Sequence, residues 1–147
     1  MKDQTPRPDS YTNSNCGTPV SLYKLVSKLQ VGLLPQATYK KSIIINDVDK
    51  SVSIVVDEDI LAFVVGSLMS NAIYSTSNCC IRVETILKEG NLQIQVRNNG
   101  VFIYSSMMHS LGHIADAARK LEGSICLHNE ANSGMTVGLA IASRKAA

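Results

Sequence analysis

A strict alternation of apolar and polar side chains near the middle of the chain limits its possible folds severely. From residue 92 to residue 97 the even positions are apolar and the odd positions are polar (Leu92, Ile94 and Val96 against Gln93, Gln95 and Arg97). Successive side chains of a strand point to opposite faces of its sheet, so this segment predicts a strand with one buried face and one wet face. A sheet of that kind is covered on one side only.

Three segments place apolar residues at helical spacing, and we predict that they form the covering layer. Their predicted spans are about 19–34, 58–74 and 109–122. Thr18-Pro19 resembles an N-cap followed by proline in the first helical turn, and Pro35 is expected to kink or end that helix. Asp57 is the predicted N-cap of the second helix, and Gly123 is expected to stop the third.

Six β-branched or alternating segments are predicted to be strands, and the turn residues between them suggest three pairs. The predicted pairs are 42–48 with 51–56, 80–87 with 92–97, and 124–128 with 135–142. With the helices they give the order αββαββαββ. We therefore predict an α/β (α+β) two-layer sandwich, in which a mixed, mostly antiparallel sheet is covered on one face by three helices.

The length of 147 residues suits a single domain. Residues 1–17 are polar, contain two prolines and show no periodicity. Segments of this composition do not bury enough apolar surface to fold, so we expect a flexible tail or a linker remnant there. The folded domain is expected to span residues 18–147.

The charge and hydropathy of the chain argue against two classes of partner. The formal net charge is only +2, and the longest cluster of basic residues is the pair Lys40-Lys41, so we expect no nucleic-acid binding. No apolar run reaches the ~20 residues that a membrane span needs, and the start of the chain lacks the apolar stretch of a signal peptide. The sequence therefore predicts a cytoplasmic location without membrane insertion.

The cysteines and histidines do not form a recognisable metal or nucleophile motif. Four cysteines (Cys16, Cys79, Cys80 and Cys126) contain no CxxC pair, so we expect small buried or half-buried thiols. His109, His113 and Asp116 stand at i, i+4 and i+7 and share one helical face. A complete metal site needs further ligands, so solvated or capping side chains are expected here.

Three segments, in the same order as in the family, resemble the ATP-binding catalytic domain of sensor histidine kinases. This domain is shared with gyrase, the large heat-shock chaperones and the mismatch-repair ATPases. The segment DEDILAFVVGSLMSNAIYST (57–76) looks like the asparagine box, and LQIQVRNNG (92–100) looks like the first glycine box. RKLEGSICLHNEANSGMTVGLAIA (119–142) looks like the closing helix, hairpin and final Gly-x-Thr. The resemblance covers about residues 19–142.

The resemblance implies a nucleotide role for two residues of the second helix. Asn71 matches the asparagine that holds Mg²⁺ against the nucleotide phosphates, and an amide oxygen is a suitable ligand for that hard cation. The alternative is a polar residue that caps a groove or bonds backbone. Ser67, one turn earlier, replaces a second asparagine in kinases or a glutamate in hydrolytic relatives, so it offers at most a hydroxyl to metal or phosphate.

The resemblance also implies nucleotide contacts at the strand ends. Asn98 stands where the family has an aspartate that accepts a hydrogen bond from adenine, and strand parity places it on the helix-covered side with Ile94 and Val96. Gly100 closes that motif, and the alternative is a plain Asn-Asn-Gly turn. Thr136 would bond the base through water, although a strand threonine after a turn glycine requires no ligand.

The largest departure from the family lies between the first glycine box and the third helix. Active kinases have a long, glycine-rich lid there, whose backbone amides wrap the triphosphate. This chain has only about ten residues, VFIYSSMMHS, without lysine or arginine. Met108 and Ser110 take the positions of the second glycine pair, where a side chain denies phosphate close approach to the backbone.

These features lead to two expectations about function. The first is a degenerate kinase-like module of two-component signalling, with little or no ATP turnover, that regulates or binds a protein partner. The alternative is an active catalytic domain, using ATP and Mg²⁺, that phosphorylates a histidine or serine elsewhere. The family's acceptor histidine belongs to a separate helical hairpin, which this sequence does not contain, so whether the chain is an enzyme stays open.

Overall fold

The computed structural model describes residues 19–88, 90–99, 104–130 and 134–142. Within these ranges the predicted order of elements is present, with one short strand added at the start. The helices are α1 (Leu22–Tyr39), α2 (Glu58–Tyr74) and α3 (Tyr104–Lys120). The strands are β1 (Val20–Ser21), β2 (Ile43–Asp47), β3 (Ser53–Ile54), β4 (Cys80–Lys88), β5 (Asn91–Asn98), β6 (Gly123–Glu130) and β7 (Gly134–Ala142).

The main sheet has five strands in the order β2-β4-β5-β7-β6. Only β2 and β4 run parallel; the other neighbouring pairs are antiparallel. A second, two-stranded antiparallel sheet is formed by β1 and β3. The predicted two-layer sandwich with a mixed, mostly antiparallel sheet is therefore confirmed.

One predicted strand pair is wrong. Strands β2 and β3 do not pair with each other: β2 lies parallel to β4, with Ile43 opposite Cys80, whereas β3 pairs with β1. A tight hairpin would need left-handed residues such as Asn-Gly at the turn, and Asp49-Lys50 does not supply them. The chain instead crosses over through α2, as a parallel connection requires.

The helices cover one face of the sheet, and α2 lies at the centre of that layer. It packs against α1, α3 and the three central strands. The apolar side chains of β5 and β7 that point toward it are almost completely buried (Leu92, Ile94, Val96, Val137, Leu139, Ile141). On the opposite face Arg97 forms an ion pair with Glu84 at 2.9 Å. The predicted division into a buried face and a wet face is confirmed.

The ends of α1 and α3 differ from the prediction. Helix α1 is capped by Ser21 and continues through Pro35 to Tyr39. Proline removes the N–H that the carbonyl of Val31 would accept, but Val31 is 73% exposed, so water can take that place. At the end of α3 the left-handed residue is Glu122 (φ 58°), and Gly123 is the first residue of β6.

The thiols match the prediction only in part. Cys79 is buried and Cys80 is half-buried, as expected, but Cys126 is exposed on β6. The thiol of Cys79 lies 2.8 Å from the hydroxyl of Thr76, just after α2. Cys16 lies outside the described residues. In the part of the chain that the structure describes, no helix is long and apolar enough to cross a membrane.

Replacing Asp57 with alanine is expected to lower the free energy of unfolding by about 1 kcal/mol. The carboxylate accepts hydrogen bonds from the backbone N–H groups of Asp59 (2.9 Å) and Ile60 (3.2 Å) at the start of α2. Urea denaturation measures the loss. Asp57→Asn is the matched control, since asparagine caps helices about equally well; an equal loss in both variants would argue against the capping role.

Candidate functional site

Four chain segments meet at one end of the sheet. Helix α2 ends at Tyr74, and residues 75–79 lead directly into β4. The first residues of β4 lie beside the last residues of β5, and Asn99 accepts a hydrogen bond from the backbone of Cys80 at 2.9 Å. The start of β7 lies on the other side of β5. Asn71 in the last turn of α2 and Asn98 at the end of β5 therefore lie at the same end of the domain.

Asn98 faces the helix-covered side of the sheet. Its side chain is buried, with only 4% of the residue exposed, and it follows Ile94 and Val96 in the same alternation. Its neighbour across the strand pair is Met135, which is 1% exposed. Side chains directly opposite each other in antiparallel strands lie on the same face, so Asn98 and Met135 are neighbours on the helix-covered side.

Gly134 holds the end of β5 against the start of β7. Its backbone is left-handed, with φ 88°, and a Cβ at this position would lie 1.9 Å from the carbonyl oxygen of Asn98. Only glycine fits such a position without displacing the backbone. The backbone conformation and the close contact with β5 therefore explain why the predicted Gly-x-Thr motif has glycine at position 134, without any ligand.

Thr136 does not share a face with Asn98. Its partner across the strands is Arg97 on β5, and both side chains belong to the sheet face that carries no helices. Thr136 and Asn98 therefore lie on opposite faces of the sheet, and the structure does not bring them together. Strand parity brings Met135 to the face of Asn98 instead, and the same parity argument that located Asn98 would have identified it.

The two α2 residues occupy different surroundings. Asn71 is half-buried, and its amide nitrogen is completely buried. Ser67 borders a groove of about 350 Å³ between α1 and α2, where it lies with Gly66 and Ser70. With about 100° between successive helical residues, Asn71 lies on the edge of the buried stripe away from Gly66. Asn71 therefore lies one turn nearer than Ser67 to the end of α2 that leads into β4, and Ser67 borders the α1–α2 groove.

The link from β5 to α3 is shorter than predicted. Helix α3 begins at Tyr104, so only five residues, 99–103, separate it from Asn98. Met108 and Ser110 therefore lie inside α3, beyond its first turn, rather than at its start. Backbone N–H groups at such positions bond carbonyls of the preceding turn. Gly100 lies outside the described residues.

The described residues offer little support for a protein-held metal. No group of three or more metal-ligating side chains (His, Cys, Asp or Glu) occurs in this part of the chain. Asp116 pairs with Arg119, and His113 is exposed. Mg²⁺ takes about six oxygen ligands, and at the Asn98 end Asn71 is the one predicted ligand. A magnesium ion there would depend on oxygens of the nucleotide and on water.

Comparison with known proteins gives a result at the level of fold. No protein-family profile and no curated protein sequence match the chain. Among solved structures, Acinetobacter baumannii histidine kinase AdeS superposes with a TM-score of 0.73 at 14% identity, over 86% of this chain and 66% of that one. The isolated catalytic domain of histidine kinase ThkA, in a nucleotide-free form, gives 0.70 at 19% identity, over 86% and 96%.

Full-length ShkA, solved in complex with AMPPNP, gives a TM-score of 0.72 at 17% identity. This chain spans only 30% of ShkA and less than two thirds of AdeS, but nearly the whole of the isolated ThkA catalytic domain. The likeness thus coincides with one domain of larger proteins. The chain has the histidine kinase-like ATPase fold, the fold of histidine kinase catalytic domains.

Proposed function

We propose that residues 18–147 form a histidine kinase-like ATP-binding domain of two-component signalling that has kept the adenine end of its site and lost the phosphate end. It acts as a regulatory or interaction module, with little or no ATP turnover. The observation that carries this proposal is the short link between β5 and α3, because five residues leave no room for a lid around a triphosphate.

The adenine end is supported by Asn98. The side chain is buried on the helix-covered side, where the resemblance implies a hydrogen bond to the adenine amino group. An asparagine carbonyl can accept that bond. It accepts it more weakly than the aspartate of the family, since charge-assisted hydrogen bonds are roughly twice as strong as neutral ones.

The loss of the phosphate end is supported by α3. Phosphoryl transfer depends on positioning and on charge stabilisation around the phosphates. Residues 101–110 contain no lysine or arginine, and the N–H groups of Met108 and Ser110 lie inside a helix. Ser67 cannot replace a catalytic glutamate, and it borders the α1–α2 groove instead. Binding energy from the triphosphate is therefore expected to be small.

Calorimetric titration with ATP and Mg²⁺ is expected to show no saturable binding tighter than about 1 mM, which corresponds to about 4 kcal/mol. Asn98→Ala is the matched variant, because it removes the adenine acceptor and leaves the rest of β5 unchanged. Micromolar binding by the wild type that disappears in Asn98→Ala would overturn the proposal of a degenerate site.

The alternative is an active catalytic domain that phosphorylates a histidine or serine on another domain or protein. The observation that favours it is the position of Asn71 and Asn98 at the same end of the domain, where ATP with Mg²⁺ would contact both. This function predicts transfer of the γ-phosphate to an added protein partner, and Asn71→Ala would abolish the transfer. A degenerate module would show no phosphate transfer in either the wild type or the Asn71→Ala variant.

The proposed setting follows from the same reasoning. We place the module in the cytoplasm, with a signalling protein as its partner and no role in nucleic-acid binding, in line with the small net charge of +2. Residues 1–17 would serve as a tail or linker.

A further inference from the structure

The face of the sheet that carries no helices contains a polar groove of about 400 Å³. Gln93, Gln95 and Arg97 of β5 line one side of it, and Cys126 and His128 of β6 line the other. The strand between them is β7. A volume of this size lies within the range that small-molecule sites occupy.

The floor of the groove is open because β7 has a glycine at its middle. Gly138 lies between Gln95 of β5 and Cys126 of β6 in the sheet. A Cβ at Gly138 would meet nothing closer than 3.4 Å, an ordinary contact, and the backbone is not left-handed. Neither packing nor conformation therefore requires glycine at this position.

The two other glycines of β6 and β7 behave differently. A Cβ at Gly123 would lie 2.7 Å from the carbonyl oxygen of Ala140, and a Cβ at the left-handed Gly134 would lie 1.9 Å from that of Asn98. Glycine inside a strand weakens the strand by roughly 0.5–1 kcal/mol relative to alanine. A strand glycine that the fold does not need is typical of a place where a ligand approaches the backbone closely.

The polar groups around this floor favour an anion. Lys88 lies at one end of the groove, and Arg97 and His128 stand at the other. Glu84 pairs with Arg97 at 2.9 Å, so the ammonium group of Lys88 supplies the remaining formal charge of the groove lining. The amide of Gln95 donates to the side-chain oxygen of Gln93 at 2.9 Å, which positions both amides along one wall.

We propose that this groove binds a small organic anion that carries a carboxylate or phosphate group. The anion lies over Gly138 and is held by Lys88 with hydrogen bonds from the β5 wall. The site is on the opposite face of the sheet from Asn98, so it is independent of the proposed nucleotide site. It gives the module a ligand site that does not depend on ATP binding.

Amide chemical shifts of ¹⁵N-labelled full chain test the proposal, with inorganic phosphate and succinate as probes at constant ionic strength and glycerol as the neutral comparison. We expect saturable shifts at residues 93–97, 126–128 and 136–138 with one or both anions, with a Kd below about 10 mM. Saturation by phosphate alone or by succinate alone identifies the preferred group. Lys88→Gln is expected to weaken binding at least about tenfold.

Gly138→Ala should fold normally and weaken binding about threefold or more, because its methyl group occupies the floor. Arg82→Gln is the matched control: Arg82 is on the same sheet face but pairs with Asp47 outside the groove, so its loss should leave binding unchanged. Asn98→Ala should also bind normally, which separates this test from that of the nucleotide site. Shifts that are linear in concentration, scattered over the surface, or equal in wild type and Lys88→Gln would overturn the proposal.

Discussion

Replacing Gly134 with alanine is expected to lower the free energy of unfolding by about 3 kcal/mol. Alanine at φ 88° is strained, and its methyl group would meet the carbonyl oxygen of Asn98 at 1.9 Å. The backbone of β5 and β7 would have to separate at the point where Asn98 and Met135 are paired. The substitution therefore damages the fold and the candidate site together.

Thermal unfolding measures this effect, and a domain of this size should lose roughly 6–12 °C in Tm for such a change. Gly112→Ala is the control, since Gly112 lies inside α3 and no atom stands within 4 Å of the added methyl group. That variant should gain about 0.5–1 kcal/mol from helix propensity. If Gly134→Ala unfolds within about 1 °C of the wild type, the described junction of β5 and β7 is wrong.

Replacing Leu68 with alanine is expected to destabilise the domain by about 3 kcal/mol. Leu68 is 1% exposed and belongs to the stripe of α2 that packs on the sheet, so its truncation leaves a cavity between the two layers. The decrease in the free energy of unfolding has two parts: the transfer free energy of the removed atoms and the cost of the cavity that they leave.

Urea denaturation of Leu68→Ala and Phe63→Ala compares two faces of the same helix. Phe63 is 53% exposed, so its truncation should change the free energy of unfolding by less than about 1 kcal/mol. Equal losses in the two variants would show that α2 presents a different face to the sheet. The slope of the transition should stay unchanged, because the same surface is exposed on unfolding.

The two periodicities of the sequence were enough to predict the layers. The alternation through Ile94 and Val96 identified the buried face of β5, and helical spacing identified α2 with its cap at Asp57. Pairing was harder, because β-branched runs show that a segment is a strand without showing its neighbour. For that reason β2 and β3 were wrongly joined, although β2 lies beside β4, which is distant in sequence.

Candidate-site residues on strands could be assigned to a face of the sheet, because side chains alternate between the two faces along a strand. Parity placed Asn98 correctly on the helix-covered side, and the same rule applied to β7 would have selected Met135 in place of Thr136. The position of Ser67 at the α1–α2 groove depends on how two helices pack, which spacing along one helix does not reveal. The early start of α3 was missed because residues 104–108 have no clear apolar stripe.

The affinity of ATP·Mg²⁺ relative to that of adenosine tests the central claim most directly, because the two ligands share the adenine end and differ at the phosphates. Ligand-observed NMR on the full chain can measure both in the millimolar range. If the phosphate end is lost, ATP·Mg²⁺ will bind no more tightly than about 1 mM and within about threefold of adenosine. A micromolar Kd for ATP·Mg²⁺, at least about 100-fold tighter than that of adenosine, would contradict the account.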